Sequence, residues 1–101
     1  MTSSVLLLVE LFGKPDCPLC ENAKRLFQTL QVTYTFTLHE INIAEYESLQ
    51  TQYGEEIPVV FINGRKAFKY RIDAKQFVRR LQRAQRHASF SWRTWFWREN
   101  R

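Results

Sequence analysis

Residues 5–20 read VLLLVELFGKPDCPLC. The first eight form an apolar run interrupted only by Glu10, which predicts a strand buried on both faces. Gly13, Lys14, Pro15 and Asp16 follow as a turn. Cys17 then falls at the N-cap of a helix, with Pro18 at the first helical position, where a missing N–H costs nothing. Leu19, Ala23, Leu26, Phe27 and Leu30 recur at helical spacing and make one apolar stripe. A strand thus feeds, through a tight turn, a helix that opens on two cysteines.

The rest of the chain continues the alternation. Residues 32–43 contain a second strand, but Val32, Tyr34, Phe36 and Leu38 sit on one parity and Ile41 and Ile43 on the other. That pattern predicts a break near His39. Residues 44–53 predict a short helix with Tyr46, Leu49 and Tyr53 on one side and a stop at Gly54. Residues 57–62 (IPVVFI) are a third strand opened by proline. Asn63-Gly64 is a strong hairpin signal, so residues 65–70 return antiparallel. Asp73 with Gln76 three residues on resembles a capping box, with Asp in place of Ser or Thr. Ala74, Phe77, Val78, Leu81 and Ala84 form the inner stripe of a last helix, and Lys75, Arg79, Arg83 and Arg86 its outer ridge. The order is β-α-β-α-β-β-α. The opening strand–helix–strand unit implies a parallel pair with a right-handed crossover, and the closing hairpin makes the sheet mixed.

Length and composition agree with one small packed domain. The chain has 101 residues, is 45% apolar and 15% aromatic, and holds three Gly and three Pro, which argues against a disordered or collagen-like chain. No run approaches the roughly 18 apolar residues of a membrane span. The run at 5–9 is short, has no basic residue before it and meets Glu10, so no signal peptide is expected. Two cysteines cannot build a disulfide framework. The expectation is a soluble cytoplasmic domain with reduced thiols. The net charge of +5 hides a split. Residues 1–64 hold three basic and eight acidic side chains, whereas residues 65–101 hold twelve basic and two acidic. Such asymmetry marks a candidate partner-facing end and says nothing about fold.

The Cys17-Pro18-Leu19-Cys20 stretch is the reactive constellation of the sequence. At a helix N-terminus Cys17 is expected to be exposed and to lie near unpaired N–H groups and the positive end of the helix dipole, both of which favour the nucleophilic thiolate. In such motifs thiol pKa values range from about 3.5 to 7.5. Lys14 adds a positive charge and Asp16 opposes it. Cys20, one turn in, is the more buried thiol and suits the resolving role. Two alternatives stand beside the redox reading. A lone pair of this spacing is also half of a zinc or iron–sulfur site, but His39 and His87 are far apart in the chain, so no metal site within the chain is expected. Buried, inert cysteines are the other alternative.

The stretches ELFGKPDCPLC (residues 10–20) and EEIPVVFING (residues 55–64), in this element order, resemble a glutaredoxin-like member of the thioredoxin-fold superfamily. DCPLC followed by ENAK is similar to small glutaredoxin-like proteins of bacteria and eukaryotes. The resemblance covers about residues 5–87. It implies an α/β, thioredoxin-like fold: a four-stranded mixed sheet flanked by helices, with thiol–disulfide exchange as its chemistry. It also implies that Pro58 is cis and faces the cysteines, exposing the backbone of Ile57 as an edge for an extended substrate. On base rates only about 5–6% of X–Pro bonds are cis, so this rests on the resemblance. Lys14 matches a residue that binds a glutathione carboxylate in the family, and Ile57 one whose backbone pairs with the tripeptide. The match then weakens. Leu19 stands where Tyr is common between the cysteines, and residues 69–73 (KYRID) replace the family's Gly-Gly and acidic element. Asp73 keeps the place of the acid that binds the γ-glutamyl end or serves as an N-cap, and Arg71 is an alternative carboxylate binder.

The expected protein is therefore a thiol–disulfide oxidoreductase with Cys17 and Cys20 catalytic. Lys14, Leu19, Ile57, Pro58, Arg71 and Asp73 are its candidate substrate-binding residues. It needs no resident cofactor, and glutathione is a candidate cosubstrate. Its partners would be a disulfide-containing protein or a glutathione mixed disulfide. No specific nucleic-acid partner is expected, because no recognition motif accompanies the basic ridge. The domain spans residues 1–88. Residues 89–101 are a tail carrying Phe90, Trp92, Trp95, Phe96 and Trp97 with Arg93, Arg98 and Arg101. It either folds back on the domain or meets a protein or membrane surface. Two rivals remain: a redox-idle adaptor that uses the fold and tail to hold a partner, and a dimer bridging an iron–sulfur cluster with one cysteine per chain.

Overall fold

The computed structural model describes residues 7–99, with side chains through residue 86. Leu8–Gly13 forms the central strand β1, followed by helix α1 over Pro18–Leu30 and strand β2 over Thr37–Asn42. A 3-10 turn at Ile43–Glu45 leads into α2 over Glu47–Tyr53. Strands β3 (Val59–Ile62) and β4 (Arg65–Lys69) form a hairpin, and α3 closes the fold over Ala74–Glu99. The sheet order is β2-β1-β3-β4, with β1 parallel to β2 and the other pairs antiparallel. The expected element order and mixed sheet are thus both found.

Period-two alternation along β1 separates two layers. Leu7, Val9 and Leu11 are buried with Val60 and Ile62 of β3 against Ala23 and Phe27 of α1 and Phe77 and Leu81 of α3. Phe77 sits fully buried at the centre, its ring 4.4 Å from that of Phe27 and 5.7 Å from that of Phe36. The opposite face is thinner. There Phe12 packs on Tyr53 of α2 and Phe61 of β3, with ring centroids 5.2 and 5.3 Å away. Leu8, Glu10 and Phe12 are only half-buried, so the expectation of a strand buried on both faces is corrected. A seven-residue α2 is too short to cover that face.

Three other expectations change. Residues 31–36 are turn and loop, and β2 runs unbroken through His39. Tyr34 and Phe36 are loop residues, so the alternation read through them mixed loop with strand. Tyr46 is an exposed N-cap residue, while Leu49 and Tyr53 of the same helix are half-buried. Ala74 lies exposed at the start of α3, whose buried residues begin at Phe77. The remaining local signals behave as read. Asn63 and Gly64 take φ of 49° and 83°, the left-handed pair that a two-residue hairpin turn requires. The Gln76 N–H donates to Asp73 Oδ2 at 2.9 Å, which is an N-cap bond.

The backbone of α3 is one continuous helix across residue 88, the boundary drawn between domain and tail. The side chains of the tail aromatics and arginines, and residues 100–101, lie outside the described residues. No described helix is long and apolar enough to cross a membrane.

One ion pair ties the loop before Pro58 to β4. Lys66 Nζ donates to Glu56 Oε1 at 2.7 Å and also lies 5.8 Å from the centre of the Tyr53 ring. The Lys66 hydrogen bond holds the Glu56 carboxyl below its ordinary range; desolvation opposes it, and the charges of Lys66 and Lys69 add to it. Because the folded value is the lower one, this contribution to stability is present above the unfolded value. It is lost as pH falls through the folded value. The pair is exposed and its worth is small. In an NMR titration Glu56 is expected to titrate below a Glu in an unstructured peptide, and Lys66→Met to move it upward.

Candidate active site

Cys17 is the N-cap of α1, with extended φ and ψ of −119° and 102°, and Pro18 begins the helix. Asp16 immediately before it takes φ of 61°, a left-handed turn that Asp tolerates better than most residues. This turn delivers Cys17 to the helix mouth, where the Cys20 N–H donates to its Sγ at 3.2 Å. Cys17 is half-buried, not exposed as expected, and Cys20 is buried beneath it at 7% exposure. In this structure Cys17 and Cys20 are joined as a disulfide. N-cap and N3 placement brings their Cα atoms to 5.2 Å, within the span a disulfide bridges.

Gly13 has a role its turn signal did not reveal. A Cβ there would stand 2.9 Å from Cys20 Sγ and 3.1 Å from Cys20 Cβ. The end of β1 thus meets the buried sulfur at backbone distance. Gly13→Ala is expected to push the first turn of α1 outward, costing about 1–3 kcal/mol by overpacking. Urea denaturation would show the loss.

The Ile57–Pro58 peptide bond is cis. The register Phe12↔Val59 places Pro58, just before β3, beside the end of β1 that carries Gly13. Pro58 is fully buried and Ile57 half-buried. The Pro58 carbonyl accepts from the Tyr70 N–H at 2.9 Å, which holds the chain after β4 against the proline.

The other candidates divide between two sides of α1. On the β2 side an open groove of about 360 Å³ is lined by Lys14, Cys20, Lys24, Glu40 and Asn42. Lys24 and Glu40 face each other across it at 3.5 Å. On the β4 side a groove of about 160 Å³ is lined by Leu19, Asn22, Leu26, Tyr70, Arg71 and Ile72. Lys14 and Arg71 are both exposed, line different grooves and are not brought together. Asp73 sits at the base of α3 with its carboxylate engaged as the cap. Sequence reading missed Tyr70, which is exposed and takes φ of 67°. No Gly or Asn marked that left-handed position. Among the described residues no three His, Cys, Asp or Glu side chains cluster as a metal-ligand set.

A sheet ordered β2-β1-β3-β4, with a cysteine-capped helix on one face and a proline-opened third strand, is the thioredoxin fold. Residues 8–82 match the model of the glutaredoxin-like domain (DUF836), and the chain belongs to that family. The chain is similar to the solution structure of protein Ne2328 from Nitrosomonas europaea, at 27% identity and a TM-score of 0.66 over 75% of this chain and 92% of that one. It is also similar to the structural-genomics target XcR50 from X. campestris, at 25% identity and a TM-score of 0.63 over 75% and 97%. A thioredoxin variant from Halobacterium salinarum shares the fold at 19% identity, with a TM-score of 0.60 over 83% and 79%.

Proposed function

We propose that the protein is a thiol–disulfide oxidoreductase in which Cys17 attacks and Cys20 resolves. The observation that supports this best is the N-cap geometry, with the Cys20 N–H aimed at Cys17 Sγ from 3.2 Å at the positive end of α1. In the reduced protein the same N–H and the helix dipole favour a thiolate on Cys17. That thiolate attacks one sulfur of a target disulfide. A Cys17–target bond forms, the target S–S bond breaks, and the departing sulfur leaves as a thiolate that takes a proton from water. Cys20 gives up its proton and attacks Cys17 Sγ. The Cys17–Cys20 disulfide closes, and the second target sulfur leaves as a thiol. Two electrons pass from the dithiol to the target.

In this reading Pro58 and Ile57 shape the edge on which an extended substrate lies, and Lys14 supplies charge near the motif. The protein acts on a disulfide-bearing protein or a glutathione mixed disulfide, in a cytoplasmic setting that keeps thiols reduced. Two glutathione molecules return the disulfide to the dithiol, each losing one electron as they pair. The test is reduction of hydroxyethyl disulfide with glutathione and glutathione reductase, run beside a dithiothreitol-driven insulin assay. Turnover in the first supports the full reading. Silence in both refutes the oxidoreductase itself.

A further inference from the structure

The outer face of α3 carries charge that the fold does not use. Phe77 and Leu81 are buried against the sheet, whereas Lys75, Arg79 and Arg83 are exposed on the opposite side. Among the described residues none of these three enters an ion pair. Residues 65–101 as a whole hold twelve basic and two acidic side chains.

The helix is continuous from Ala74 to Glu99, so this face runs on past the domain. At about 100° per residue, Lys75, Arg79, Arg83, Phe90, Arg93 and Trp97 register within an arc of about 80°. Glu99, the one acidic residue of α3, registers outside that arc. The basic ridge of the domain and two aromatic positions of the tail therefore belong to one stripe, about 33 Å long.

A basic ridge alone fits any polyanion, and the aromatic positions in line with it narrow the choice. Trp and Arg together suit the boundary between phospholipid headgroups and acyl chains, where a ring sinks in and a guanidinium meets phosphate. A single strand of nucleic acid is bound along a groove, and a helix face is convex. No described helix is long and apolar enough to cross a membrane, so α3 would lie along the surface. We infer that the outer stripe of α3 is a docking surface for an anionic phospholipid membrane, with Lys75, Arg79 and Arg83 meeting headgroups and Trp97 entering the interface. Such docking does not depend on the exchange chemistry proposed above.

All three Trp residues lie at positions 92–97, so tryptophan emission reports this segment alone. Full-length protein is titrated with vesicles of phosphatidylcholine, or of phosphatidylcholine mixed with phosphatidylserine. Binding is read by vesicle sedimentation and by the emission maximum. The expected result is a blue shift and roughly tenfold tighter binding to the mixed vesicles, weakening as salt rises. Lys75→Glu, Arg79→Glu and Arg83→Glu combined are expected to lower that affinity roughly a hundredfold, about fivefold for each charge lost. The triple variant changes only exposed side chains, and thermal denaturation checks its fold. Trp97→Ser is expected to weaken binding while leaving its salt dependence in place. Equal binding to the two kinds of vesicle, or an unchanged affinity in the folded triple variant, would overturn the docking surface. Sedimentation with vesicles but no emission shift would overturn the part given to Trp97. Binding to an RNA homopolymer but not to vesicles would assign the stripe to nucleic acid and overturn the lipid claim.

Discussion

Cys17→Ser is expected to abolish disulfide exchange, lowering the rate at least a thousandfold, whereas Cys20→Ser retains reaction with a small glutathione mixed disulfide. The asymmetry follows from position. Cys17 caps α1 with its sulfur at the half-open helix mouth, and Cys20 is buried behind it against Gly13. A serine hydroxyl at residue 17 does not ionise in the working range, so no nucleophile remains at the site. At residue 20 the serine leaves the attack intact and removes only the resolving step. Cys20→Ser is therefore also expected to accumulate a Cys17 mixed disulfide with dithiol-requiring targets, visible as a mass increase that dithiothreitol reverses. Equal loss of activity in the two variants on the small substrate would show that the roles are not divided in this way. Neither substitution removes much buried apolar area, so both variants are expected to fold.

The second large effect concerns the core. Phe77→Ala is expected to destabilise the domain by about 3–5 kcal/mol, because a fully buried ring is lost and the surrounding rings cannot collapse onto the void. Phe77 meets Phe27 of α1, Phe36 of the loop before β2 and Phe68 of β4, the last at 6.2 Å. It therefore couples α3 to three separate parts of the chain. Domains of this size have only about 5–15 kcal/mol of total stability. A loss of this size corresponds to a fall in Tm of more than about 12 °C. Thermal denaturation followed by far-UV circular dichroism measures it. A shift of a few degrees would mean that α3 contributes little to the core.

Much of this architecture is legible in the amino-acid sequence, because several signals are local. The apolar run into GKPDCPLC gives strand, turn and capped helix in order, and Asn63-Gly64 forces the hairpin by its backbone demands alone. The edge strand β2 is different. It is only half-covered, so its burial pattern is weak, and the most periodic residues before it, Tyr34 and Phe36, belong to a loop. Phe36 is buried because that loop folds over Phe77, a tertiary fact with no local sign. The site divides likewise. Cys17 and Cys20 stand at the N-cap and first turn that the local pattern predicts, and the bond before Pro58 is cis as the resemblance implied. The close approach of Gly13 to Cys20 and the left-handed Tyr70 depend on contacts between segments distant in sequence. Lys14 and Arg71, both read as carboxylate binders, are separated by α1, which spacing along the chain does not reveal.

The central claim is that Cys17, at the helix mouth, is the activated nucleophile of a reversible dithiol. The most direct test is pH-dependent alkylation of the fully reduced protein with iodoacetamide, with the modified residue located by peptide mass mapping. Cys17 is expected to take the label first and to react well below pH 8.5, about where an ordinary thiol ionises. Cys20 should remain unlabelled until the protein is unfolded. Equal labelling of the two residues, or a Cys17 rate that rises only near pH 8.5, would contradict the account and favour a redox-idle adaptor.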